Sequence, residues 1–169
     1  MLYMVEMELP DRSRISDWHD WYNGHIRNLL TVDGYHGSQR FEALTPRRAP
    51  FLAIHDVSGP ELFESAGYRS VGGPASTGEW QNVMTNWSRN LYEGCASMPE
   101  VTPGQTLAVA DGDAKLPDAW RDRVTWLTSI GLDRDIPRRG FVVLAATDDD
   151  APLRAAGADL FKPITAKMR

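Results

Sequence analysis

At 169 residues, 42% hydrophobic and 24% charged, the chain is long enough for one ordinary globular core and too apolar to be a disordered segment. A formal charge of −5, from 18 basic and 23 acidic residues without long runs, offers no basic surface for nucleic acid or an anionic membrane. The single cysteine, Cys95, excludes an internal disulfide and cannot build a Cys-x-x-Cys or Cys/His zinc spacing; it reads as a small buried residue near a strand end.

The opening residues carry Glu6 and Glu8 where a secretory signal needs a basic start and an apolar run. No later segment approaches the roughly 20 apolar residues of a membrane span, so a cytoplasmic protein is expected. Tyr3, Val5, Met7 and Leu9 alternate with Met4, Glu6 and Glu8, the period of a half-buried strand, which stops at Pro10-Asp11. Ser13 then reads as the N-cap of a helix over 14–31, where Ile15, Trp18, Tyr22, Ile26 and Leu29 recur at helical spacing until Asp33-Gly34. Residues 35–44 and 51–57 read as a hairpin turning at Pro46-Arg47-Arg48. Pro60 opens a helix to about residue 70, and a loop through Gly72-Gly73-Pro74 leads to a strand over 83–92.

The second half repeats this β-α-β-β-α-β order without evident identity to the first. A strand over 106–110 is followed by a helix over 117–128, with Trp120, Val124 and Leu127 on one stripe. Residues 130–134 and 140–147 can pair as a hairpin, and a short helix over 152–156 leads to a last strand over 159–164. The expected fold is α+β, a ferredoxin-like barrel of one combined domain. Residues 1–95 form its first half and 104–169 its abbreviated second half, with two antiparallel sheets facing each other and helices outside.

All four histidines, His19, His25, His36 and His55, lie in the first third of the chain, three of them among aromatic residues. On a wheel of the first helix His25 falls on the apolar face with Trp18, Tyr22 and Leu29, whereas His19 falls at its edge. A titratable group among rings costs free energy unless it is partnered or used, so His25 is either a satisfied core histidine or an acid/base. The following strand presents His36, Ser38, Arg40 and Glu42 on one face; if that face points inward, Arg40 can bind a carboxylate, phenolate or enolate, and otherwise the row is a wet surface. His55 shares a face with Phe51, Ala53 and Val57, and Arg89 lies between Trp87 and Leu91, either paired with Glu6 or another carboxylate or lending positive charge to a pocket. Trp80 follows a glycine-rich loop over 72–78, as a lid or wall residue or as a plain surface anchor.

Trp21-x-x-x-His25, the apolar helix end, the Gly34 turn and the strand ending in Arg40-Phe41 resemble the EthD-like members of the dimeric α+β barrel superfamily, over roughly residues 1–93. Two positions depart from that pattern: Arg27 stands where a proline is common, and Asp33-Gly34 replaces a Pro-Gly turn. The resemblance implies a small-ligand cavity between sheet and first helix with His25 facing it, and pairing of sheets between chains keeps a homodimer open. Members of the superfamily include cofactor-independent isomerases, lyases, dehydratases and monooxygenases, haem-binding degraders and proteins without known activity, so fold does not fix function.

The leading expectation is a cofactor-independent lyase, isomerase or dehydratase acting on a small aromatic or unsaturated compound. His25, Tyr22, His36 and Arg40 would carry the chemistry, and Trp18, Trp21, His55, Trp80, Trp87 and Arg89 would hold the substrate. The alternatives are a non-catalytic binder of a small hydrophobic ligand and, less favoured, haem ligation through a histidine. No nucleotide loop, nucleophile elbow or His-Glu-x-x-His motif occurs, and a metal held by His25, His36 and His55 has no spacing to support it.

Overall fold

The computed structural model describes residues 1–112 and 114–169. Eight strands close into one antiparallel barrel: β1 (Leu2–Glu8), β2 (Tyr35–Ala43), β3 (Phe51–Val57), β4 (Thr85–Glu93), β5 (Thr106–Asp111), β6 (Thr125–Leu132), β7 (Arg138–Leu144) and β8 (Asp159–Pro163). Around the barrel they run β1-β3-β2-β8-β5-β7-β6-β4, so each half of the chain supplies four adjacent strands with its first strand next to its third and fourth. The facing sheets expected from the sequence are instead continuous, stitched where Phe41, Glu42 and Ala43 pair with β8 and where Asn90 to Glu93 pair with β6.

β1 shows why its sequence is apolar on both faces. Leu2 and Met4 point into the lumen with Phe41, Leu52, Ile54, Tyr92, Leu107, Phe141 and Phe161, whereas Tyr3, Val5 and Met7 point outward beneath the helices. Each phenylalanine buried in the lumen contributes about 2–3 kcal/mol, and these rings leave the barrel filled rather than hollow. One end of the lumen holds Arg139, 1% exposed, which donates to Glu6 at 2.8 Å and to Asp111 at 2.7 and 2.9 Å. Arg47 adds a 2.6 Å bond to the other Glu6 oxygen. At the opposite end Lys167 pairs with Asp56, which also accepts from Ser97 at 2.7 Å and from the Met98 N–H at 2.9 Å.

Among the described residues four α-helices lie outside: α1 (Ile15–Leu29), α2 (Ala66–Val71), α3 (Asp118–Arg121) and α4 (Ala151–Ala155). Asp11 rather than Ser13 starts the first of them, its carboxylate accepting from the Ser13 N–H at 3.1 Å to cap a 3-10 turn over Arg12–Arg14 that runs into α1. Trp18, Tyr22, Ile26 and Leu29 are the buried stripe of α1 and pack on the outer face of β1 and β3.

The helix expected over 117–128 shrinks to the single turn of α3, and Thr125 onward is strand β6. Trp120 and Val124 still pack with the outer core of the second half, but Leu127 points into the lumen, so the apparent helical stripe mixed two faces. The hairpin is therefore β6 with β7, pairing Thr125 to Thr128 with Phe141 to Arg138. Cys95 is half-buried, its Sγ 3.2 Å from the Ser97 carbonyl, rather than a core residue.

Candidate functional site

A space that brings most of the candidate site residues together lies outside the lumen, between β1, β3 and β4 on one side and α1 and α2 on the other. An inner cavity of about 20 Å³ is lined by His25 and His55, by Tyr3, Tyr22 and Tyr68, and by Trp21, with Val5, Leu29 and Gly73 between them. Thr77, Trp87 and Arg89 belong both to this lining and to that of an outer groove of about 230 Å³, completed by Gln81, Met84 and Asp133. The inner space holds one water-sized group, and the groove exceeds the cavity that encloses a benzene ring in other proteins.

Each wall follows from local sequence. One turn of helix separates Trp21 from His25, which brings the two rings into a stack at 5.4 Å and 9°, with Tyr22 edge-on to the imidazole at 6.2 Å. Strand alternation puts Tyr3 and His55 side by side: they are register partners in β1 and β3, with ring centroids 5.2 Å apart. Tyr68 is placed by α2, whose cap Ser65 accepts from the Tyr68 N–H at 3.1 Å. The chain then passes so close to the Tyr68 ring that a Cβ at Gly72 would meet it at 2.5 Å, and Gly73 turns away with φ 75°.

Burial dominates the electrostatics. It pushes His25 down to about 4 and His55 down to about 3, the latter further disfavoured by the positive charge of a protonated His25 and by Arg40, against Asp56. Both imidazoles are consequently neutral at neutral pH. Burial pushes Tyr22 up to about 12 and raises Tyr3 and Tyr68, which hydrogen-bond each other, so all three phenols remain protonated donors. No carboxylate belongs to the described lining of the inner cavity. In the groove Arg89 is paired with Asp133 at 3.3 Å, while Glu6 is occupied by Arg47 and Arg139.

Of the residues singled out in the sequence, His25, Tyr22, Trp21, His55, Trp87 and Arg89 meet at this cavity, with Trp87 38% exposed at its mouth. The other four stand elsewhere. His36 is exposed and bonds Ser58 at 2.7 Å, because a register shift between Tyr35 and Gly37 turns it away from Ser38 and Arg40. Trp18 is core, its indole N–H directed at the Met84 sulfur at 3.2 Å. Trp80 is buried behind Trp21, 5.9 Å away, beneath the Arg14 guanidinium, and so supports the wall without being part of it.

Arg40 is buried behind Tyr22. Its guanidinium lies over the Tyr22 ring at 4.2 Å and the Trp18 ring at 4.6 Å, and it bonds Asn23 Oδ1 at 3.1 Å and His19 Nδ1 at 3.0 Å. It tethers α1 to β2 and lies outside the described lining of the cavity. Tyr3, Tyr68 and Thr77 complete the lining and were not anticipated; the alternation that put Tyr3 in phase with Val5 was a usable signal, whereas Tyr68 and Thr77 depend on how the chain folds back.

Among the described residues no cluster of three or more His, Cys, Asp or Glu side chains could hold a metal, and no helix is long and apolar enough to cross a membrane. The structure thus defines a closed eight-stranded α+β barrel with a histidine- and tyrosine-lined cavity on its outer face. No family model matches the chain, and no curated protein matches it. Among solved structures it is similar to the crystal structure of an anthrone oxidase-like protein, with a TM-score of 0.56 and 10% identity over 99% of this chain and 92% of that one. At that identity the likeness establishes the barrel fold alone.

Proposed function

We propose that this protein is an EthD-like α+β barrel enzyme, built from two ferredoxin-like halves, that moves a proton on a small aromatic or unsaturated compound without a cofactor. The observation that carries this reading is the placing of two imidazoles, His25 and His55, in one tyrosine-rich cavity whose described lining holds no carboxylate, with burial favouring the neutral form of both. His25, at the helix edge of the cavity, serves as the base. It takes a proton from an activated C–H or O–H, and the protonated phenols of Tyr22 and Tyr3 donate hydrogen bonds to the oxygen where charge develops. Because burial disfavours imidazolium, His25 readily returns that proton, to a second carbon in an isomerisation or to a departing hydroxyl in a dehydration. Trp87 and Met84 receive the ring system in the outer groove.

The anthrone oxidase-like neighbour motivates one probe. Anthrones are aromatic ketones with an acidic C–H, and so make the least demand on a base that burial weakens. The test is deuterium exchange from D2O into a panel of phenols and aromatic ketones that includes an anthrone, followed by proton NMR. Exchange accelerated by the wild type and lost in His25→Ala, with the fold intact by circular dichroism, supports the reading. Wild-type exchange in that variant refutes the assignment of His25. The larger outer groove, with Met84 and Trp87 in its wall, favours one second reading, a non-catalytic binder of a small hydrophobic ligand, and saturable binding without exchange would select it.

A further inference from the structure

Beside His55, three polar atoms are sealed from solvent without a hydrogen-bond partner: Tyr35 Oη, Ser38 Oγ and His55 Nδ1. They are neighbours. Ser38 is the register partner of His55 across β2 and β3, which sets their Cβ atoms about 5 Å apart on one face of the sheet. The Tyr35 ring lies 5.3 Å from the imidazole. The main chain of Ser38 is already satisfied, exchanging hydrogen bonds of 2.9 and 2.8 Å with Met168, so only its hydroxyl is left over. One unpaired buried polar atom is costly, and three in a single cluster are a strong indication that they share a partner.

We infer that Tyr35, Ser38 and His55 Nδ1 form a binding site for a single water molecule, which fixes the tautomer of His55. Donor accounting sets the direction of each bond. Both hydroxyls must donate, and together they fill the two lone pairs of the water. The water then donates to Nδ1, which acts as acceptor, and the imidazole hydrogen resides on Nε2. The His55 ring lines the cavity. His55 is therefore a neutral hydrogen-bond donor toward the ligand, and Tyr35 and Ser38 are positioning residues acting through it. Resting on the proposed acid–base reading, this divides the labour: His25 takes the proton, and His55 donates to a carbonyl or phenolate oxygen beside it. The site accordingly selects ligands with an acceptor oxygen next to the acidic hydrogen.

Imidazole nitrogen NMR on labelled wild-type protein at pH 7 tests this without any substrate. The expected spectrum has His55 protonated on Nε2, with its Nδ1 resonance displaced by an accepted hydrogen bond. Ser38→Ala and Tyr35→Phe should each move that resonance toward the value of an unbonded nitrogen and lower Tm by about 2–4 °C, the effect of losing one net hydrogen bond in a chain of this size. Ser38→Thr, which keeps the hydroxyl, should restore the resonance. A wild-type spectrum with the hydrogen on Nδ1, or variants that leave Nδ1 unmoved or raise Tm, would overturn the inference. None of these readouts needs turnover, so they fail separately from the deuterium-exchange test of the activity.

Discussion

Acidification should unfold this protein from its cavity. His25 and His55 sit at about 4 and about 3 in the folded chain, whereas an unfolded chain protonates histidine near 6.5. The stability tied to their neutral forms is fully present above pH 6.5 and is lost as pH falls toward the folded values, because only the unfolded state binds the extra protons. At pH 5 that linkage amounts to about 2 kcal/mol for the fully buried His55 and, with its open edge discounted, about 1 kcal/mol for His25. A loss of about 3 kcal/mol is a large part of the 5–15 kcal/mol typical of a domain. Carboxylates held low by hydrogen bonds, Asp56 and Asp135 among them, fall below the ordinary 3.8 and add their losses only at lower pH. Urea melts at pH 8, 7, 6 and 5 measure the effect, with His55→Gln as the control that removes about two thirds of it. A wild-type stability that changes by less than about 0.5 kcal/mol across that range would show that the imidazoles charge freely in the fold, and the argument from burial would collapse.

Three further outcomes are expected. His25→Ala should lower turnover of an exchangeable substrate by about 10²–10⁴-fold with little change in Tm, which steady-state kinetics and a thermal melt decide together. Arg139→Met should destabilise by about 3–5 kcal/mol because Glu6 and Asp111 lose the guanidinium between them, while Arg121→Met, whose pair with Asp118 is exposed, should change denaturation by less than about 0.5 kcal/mol. Gly72→Ala should force the Tyr68 ring out of the cavity wall, weakening ligand binding by calorimetry more than it lowers Tm; equal affinity in that variant would mean Tyr68 does not shape the site.

The local elements were largely legible in the residues. Alternation in Tyr3 to Leu9 and the Trp18, Tyr22, Ile26, Leu29 spacing specify β1 and α1 because each is half of a two-sided environment, and the order of elements in the second half is readable even though 117–128 reads as one helix. There Val124 and Leu127 lie three apart and look helical, yet they serve opposite faces of the barrel wall, a distinction that needs the lumen. The pairing of Trp21 with His25 was equally local, one turn of helix.

What the sequence determined by itself was therefore periodicity, the neighbours within each element, and the aromatic setting of His25. Tertiary structure decided everything that depends on which faces meet. It closed two sheets into one filled barrel and moved the ligand space to the outer side of β1, β3 and β4. It also set Tyr3, Tyr68 and His55 around His25, and turned His36 outward through a one-residue register shift. Arg40 makes the physical reason plain. Its strand position was readable, but whether its charge meets a substrate or a tyrosine ring depends on α1 packing across β2, a contact between segments whose separation in the chain carries no local signal.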